Sequence, residues 1–245
     1  MRTMIIAIAT MILFSAPLIA QEAVDGVLDK WRNAMSNVRA FEANCERINR
    51  DAVFKTEEKY SGKVRFLRTE ASILASSELK KVDDPDVFEK FILGDRFFHE
   101  FRPTSKEIRV HDLKKLKNFK KGEFFPSPGE ISDGVASIGG LLMGEMKMDE
   151  AKKRFTFVLE NTDDHYYYLK IGLREDRPRS FWFGSFDARL ALIRTTFMPV
   201  RMISFRDSSS YVHWDFTEVN PRAEHLRPAD FQEPALSTNE WKFVR

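Results

Sequence analysis

Over the stretch QEAVDGVLDKWRNAMSNV, apolar residues recur at spacings of three and four: Val24, Val27, Leu28, Trp31, Met35 and Val38. This is one apolar stripe of an amphipathic helix, with Asp25, Asp29, Lys30 and Arg32 away from it. From Phe41 onward the period changes to two, and turn chemistry punctuates the chain about every ten residues, the pattern of an antiparallel meander. In YSGKVRFLR one face carries Tyr60, Gly62, Val64, Phe66 and, unexpectedly, Arg68, while Ser61, Lys63, Arg65 and Leu67 take the other. ASILASSEL and VFEKFIL continue the series. In FILGDRFFHEFRPTSKEIRVHDL the turns Gly94-Asp95 and Arg102-Pro103-Thr104-Ser105 separate runs that place Phe97, His99, Phe101, Ile108 and Val110 together. Six strands in succession without an intervening helix exclude a parallel doubly wound sheet.

The regularity stops at about residues 114–152. This segment opens with KKLKNFKK, passes a Pro-Ser-Pro-Gly loop and continues as a helical pattern in which Ile131, Val135, Ile138, Leu141 and Leu142 share a face. Gly139 and Gly140 weaken it, and Met146 to Lys153 reads as a second short helix. An interruption of this length inside a meander is uncommon and often forms a lid or binding element. Strands resume with RFTFVLEN and HYYYLKIGLRE, and ARLALIRTTFMPVRMISFRDSSSYVHWDFTEVN supplies three more, Pro199 marking a strand start. A short strand near Trp241 to Val244 is expected at the edge. The pattern predicts a mainly β (α+β) fold: an unclosed antiparallel β-barrel of about eleven strands with an N-terminal helix and an inserted helical lid.

Residues 1–20 read as a secretory leader: Arg2, an apolar run from Met4 to Phe14, and small residues before Gln21. The run is shorter than the roughly 20 residues a membrane span requires. The reading is therefore an exported, soluble periplasmic chain with one domain over 21–245. Without Arg2 the count is 38 basic against 37 acidic residues, a net charge of +1, which offers no electrostatic case for nucleic acid. Cys45, the only cysteine, excludes an internal disulfide and reads as a small buried residue. The five histidines show no metal-ligand spacing, and neither a nucleophile elbow nor a phosphate loop is present. No cofactor, metal or enzymatic activity is expected. Asp163-Asp164-His165 reads as a hairpin turn.

The order of these elements resembles the LolA and LolB carriers, which escort lipoproteins across the periplasm. The resemblance rests on the Trp31 helix followed by FEANCERINRD, on Gly62-Lys63-Val64-Arg65-Phe66-Leu67-Arg68, on the ILGDRFFHEFRPTSKEIRVHDL hairpin, on the 131–144 helix at the family's lid position, and on FMPVRMISFRDSSSYVHWDFTEV with LRPADFQEP. A longer, more basic segment around Lys114 to Pro128 and the aromatic stretch Phe181 to Phe186 depart from it, and there is no lipobox. The chain looks most like divergent planctomycete-type LolA-like domains of unknown function, so fold transfers more safely than activity.

The apolar face of the bent sheet is open to two readings: an ordinary core beneath the first helix and the insertion, or a cavity. A sheet of about eleven strands has a concave side too wide for its own side chains to fill. Phe66, Leu93, Phe97, Phe101, Ile108 and Val110 are then expected to line the cavity, under the lid of Ile131, Val135, Ile138, Leu141 and Leu142. The resemblance implies that Arg68 latches this lid by donating to its carbonyls. It also implies a non-enzymatic carrier for acyl chains of lipoproteins or other lipids, served by a membrane-bound donor or acceptor protein. Each buried methylene contributes about 0.8 kcal/mol, so affinity is easy and release is the difficulty. Lys114, Lys115, Lys117, Lys120 and Lys121 are candidates for docking a membrane or an acidic partner. The alternative is an envelope protein-binding or lipid-sensing module of the same fold that uses this basic insertion without transporting cargo.

Overall fold

The computed structural model describes residues 23–114, 148–174, 187–205, 209–232 and 241–244. The expected leader, the lid residues Ile131, Val135, Ile138, Leu141 and Leu142, and the lysines 115, 117, 120 and 121 lie outside the described residues.

Helix α1 covers residues 23–36. Six strands follow: β1 (Ala40–Asp51), β2 (Thr56–Arg68), β3 (Ile73–Lys81), β4 (Phe88–Leu93), β5 (Phe97–Arg102) and β6 (Glu107–Asp112). A short helix, α2 (Met148–Arg154), leads into β7 (Phe155–Thr162), β8 (Tyr166–Leu173), β9 (Asp187–Ile193), β10 (Pro199–Phe205) and β11 (Tyr211–Asn220). A 3-10 turn (Pro228–Phe231) and β12 (Lys242–Val244) complete the described chain. All twelve strands belong to one open sheet in the order β12-β6-β5-β4-β3-β2-β1-β11-β10-β9-β8-β7. Every pairing is antiparallel except β12 on β6, the short edge strand that takes the number past the eleven expected.

The sheet is central at β1, which pairs with β2 on one side and β11 on the other. Hairpin turns explain most of the order. In the β7–β8 turn, the Asp163 carboxylate accepts from the backbone N–H groups of His165 and Tyr166 at 2.8 and 2.7 Å, which pulls its pKa down. The Asp163-Asp164-His165 segment is thus the turn its composition predicts.

The stripe on α1 is buried along its length: Val24, Val27, Leu28, Trp31, Met35 and Val38 all join one core. They pack on the sheet face that carries Phe41, Phe66, Ala75, Leu93 and Phe98 at one end and Phe155, Leu169, Leu190 and Met202 at the other. Met148 and Ala151 of α2 belong to the same core. The opposite face of β3 to β6 is also covered. Leu74, Ile92, Phe101 and Ile108 meet Ala223, Leu226 and Phe231 of the segment after β11, with Trp241 and Phe243 partly buried beside them. This part of the sheet is a middle layer with apolar material on both sides.

That double burial corrects one expectation. Cross-strand pairing sets Phe66 opposite Ala75, Ala75 opposite Leu93, and Leu93 opposite Phe98. Phe98, not Phe97, therefore shares the helix-side face with Phe66 and Leu93. Phe97, Phe101, Ile108 and Val110 stand on the other face, where Phe101 pairs with Ile108 and His99 with Val110. The six residues do not line one space. Grouping them on the apolar run was sound only for a sheet buried on one side, because alternation identifies which residues share a face but not which face is inward.

Candidate functional site

The helix-side face changes character along the central strands. Nearest α1, the row Phe41, Phe66, Ala75, Leu93 and Phe98 is large, apolar and buried. Phe41 and Phe66 stack with ring centroids 5.2 Å apart. One step further from α1, register sets Ala43 beside Val64, Val64 beside Ser77, and Ser77 beside Phe91. The next row runs Phe216, Cys45, Gly62 and Leu79, with Glu89 opposite Leu79. Ala43, Cys45, Gly62, Ala75 and Ser77 thus form a floor of small side chains on β1 to β3. Val64 stands within it, between Ala43 and Ser77, while Phe91 on β4 and Trp214 and Phe216 on β11 flank it; all four are only half-buried.

Gly62 is required at the bottom of this floor. A Cβ at that position would penetrate the Glu78 carbonyl oxygen of the adjoining strand, a backbone atom that cannot swing aside. Cys45 is buried as expected, and desolvation raises its thiol pKa to about 12. It is a packing residue with a negligible thiolate fraction at neutral pH.

The far boundary of the floor is an ion pair. Arg47 is 4% exposed, and its two terminal nitrogens each donate to a Glu89 carboxylate oxygen at 2.6 Å. Its guanidinium stands 4.3 Å from the Tyr60 ring centroid and 5.2 Å from that of Trp214. Arg47 is on β1 and Glu89 on β4, three strand spacings apart, about 14 Å in a flat sheet. Two side chains bridge that span as a direct bidentate pair only if the strands curl toward each other. The pair is a chord across the sheet, and it shows that the helix-side face is the concave one. Glu89 is 25% exposed, so one end of the chord reaches the rim. Among the described residues, the buried Arg47 Nε has no acceptor. The pair was not legible in the sequence, because its partners are 42 positions apart; the curvature it spans is that of the bent sheet expected from the strand number.

Arg68 is on the concave side, as its alternation predicts. Its Nε donates to the Val38 carbonyl at 3.3 Å, in the connection from α1 to β1, and its backbone N–H donates to the Arg39 carbonyl. Among the described residues, the carbonyl it holds therefore belongs to the end of α1. Lys114, exposed after β6, has its N–H on the Asp112 carboxylate at 3.0 Å. On the convex side a polar groove of about 280 Å³ runs between Lys63, Arg65, Ser76, Glu78 and Lys90. Within the described residues there is no cluster of three or more metal-ligating side chains, and no helix long and apolar enough to cross a membrane.

No family model matches the sequence, and no curated protein matches it either. Among solved structures, the chain is similar to a LolA superfamily protein from Nitrosomonas europaea (12% identity, TM-score 0.36, 86% of this chain and 97% of that one). It is similar also to a putative outer membrane lipoprotein-sorting protein domain from Vibrio parahaemolyticus (10% identity, TM-score 0.41, 86% and 96%). A third likeness is to the MucA/MucB complex of Pseudomonas aeruginosa (9% identity, TM-score 0.43), where the match takes in 81% of this chain and 56% of that one. At these identities no residue role transfers between chains. What the chain shares with the expected architecture is one open, mainly antiparallel sheet with helices on its concave side.

Proposed function

We propose that the protein is a non-enzymatic periplasmic carrier that holds acyl chains of lipids or lipoproteins on the concave side of its sheet, beneath the insertion between β6 and α2. The observation that supports this reading is the floor of Ala43, Cys45, Gly62, Ala75 and Ser77 around half-buried Val64, flanked by half-buried Phe91, Trp214 and Phe216. Small residues at the bottom and large apolar ones at the sides make a trough suited to a flexible hydrocarbon tail, which needs area and no hydrogen bonds. Of the lining first expected, Phe66 and Leu93 adjoin this trough, and Phe97, Phe101, Ile108 and Val110 are replaced by the residues named here.

The lid residues Ile131, Val135, Ile138, Leu141 and Leu142 complete the reading as the cover, with Arg68 as its latch. Native mass spectrometry of protein purified from its own cell envelope tests it. The expected result is bound species of lipid mass that organic extraction removes and that re-bind on addition of fatty acid. Protein that is lipid-free as isolated and takes up no acyl compound would reject carriage. The remaining reading would then be partner docking through Lys114, Lys115, Lys117, Lys120 and Lys121, checked by loss of capture when these lysines are changed to glutamate.

A further inference from the structure

A cation sealed beside an acyl trough is expensive unless it is always paired. Arg47 is buried on the concave face, one register step from Cys45 and Phe216, and shares Trp214 with the trough wall. Its terminal nitrogens are taken by Glu89, while the Nε on the side edge of the same guanidinium is buried without an acceptor among the described residues. Guanidinium is built to bind carboxylate or phosphate through two parallel N–H groups. The Tyr60 and Trp214 rings flank it and hold it in place. Glu89 differs from Arg47 in being a quarter exposed, so it is the member of the pair able to leave toward solvent.

We propose that Arg47 is the head-group site of the trough: it binds the anionic group of an acyl lipid, a carboxylate or a phosphate, in exchange for Glu89. In the empty protein Glu89 stands where the ligand's acid group goes. On loading, the ligand anion takes the guanidinium and Glu89 turns outward to water. The buried cation keeps one anion throughout, so neither state carries the large penalty of an unpaired buried charge. The inference rests on the carrier reading and narrows it to ligands with an acidic head.

The experiment compares binding of oleate, methyl oleate and lysophosphatidylglycerol to the delipidated full chain, by calorimetry or native mass spectrometry, for the wild type, Arg47→Met and Glu89→Gln. Wild type is expected to prefer oleate over its methyl ester by about tenfold or more, and Arg47→Met to erase that preference while still binding the ester. Glu89→Gln removes the internal competitor and is expected to tighten oleate binding. A pair with a purely structural role would move both variants in the same direction. Preference for oleate alone assigns a carboxylate head, and equal or tighter binding of the lysophospholipid a phosphate head; both support the site. Equal binding of oleate and methyl oleate by wild type overturns the head-group site and leaves the carrier standing. Failure to bind any of the three overturns both. Near-UV circular dichroism establishes that each variant is folded, and if Arg47→Met is not, Glu89→Gln decides by its sign.

Discussion

At the scale of single residues, Gly62 and the two convex-face carboxylates Glu42 and Glu78 carry sharp consequences. Gly62 has no room for a methyl group against the Glu78 carbonyl. Gly62→Ala must separate β2 from β3 and is expected to destabilise the protein by roughly 3 kcal/mol, read as a lower urea midpoint at unchanged slope. The carboxylates of the convex face set the acid limb of stability. Burial pushes Glu42 up, but hydrogen bonding and attraction from Arg65, with Lys63 and His225 adding to it, bring its pKa below 4.5. Glu78 is likewise lowered, first by its hydrogen bond from Lys90. Groups depressed in the folded state stabilise it fully above their unfolded pKa, and that contribution disappears as pH falls through the folded value. Stability should therefore decline as pH drops below about 4.5. Glu42→Gln should make that decline shallower, which thermal melts at a series of pH values will measure.

At the scale of elements, the segment after β11 is what makes β3 to β6 a middle layer. Phe231, in the 3-10 turn, is 2% exposed and packs in the cluster with Leu74, Ile92, Phe101 and Ile108. Phe231→Ala is expected to cost about 3–5 kcal/mol despite lying outside the sheet, because it opens a cavity over four strands. Hydrogen exchange should show the loosening in β4 to β6 and leave β8 to β10 protected, since those strands are buried by the α1 core instead. Trp31 of α1 is 1% exposed and reports the other side: Trp31→Ala should loosen β8 to β10 first. The two substitutions together check the division of the sheet into faces.

At the scale of the whole molecule, an open twelve-stranded sheet has a concave side that its own central residues leave shallow. A ligand bound there touches β1 to β4 and β11 at once. Binding to the folded state alone stabilises it by mass action, by about 2.7 kcal/mol at a free concentration one hundred times Kd. Lipid-loaded protein is thus expected to melt several degrees above the delipidated form, and re-addition of oleate to restore the difference. Identical melting of loaded and stripped protein would mean that the lipid does not bind the folded trough.

The amino-acid pattern by itself determined the helix bearing Val24 to Met35, the strand succession, the Asp163 turn, Pro199 at the start of its strand, and the sharing of one face by Tyr60, Gly62, Val64, Phe66 and Arg68. These are local properties, carried by period and turn chemistry over a few residues. Tertiary structure alone decided which face is concave and what covers the other. Phe97, Phe101, Ile108 and Val110 looked inward because they are apolar; Phe101 and Ile108 are buried and Val110 partly so, but by a chain segment that returns more than one hundred residues later. The Arg47–Glu89 chord was likewise invisible: each residue is ordinary in its own strand, and only the curl of four strands brings a guanidinium and a carboxylate together over a floor of small side chains.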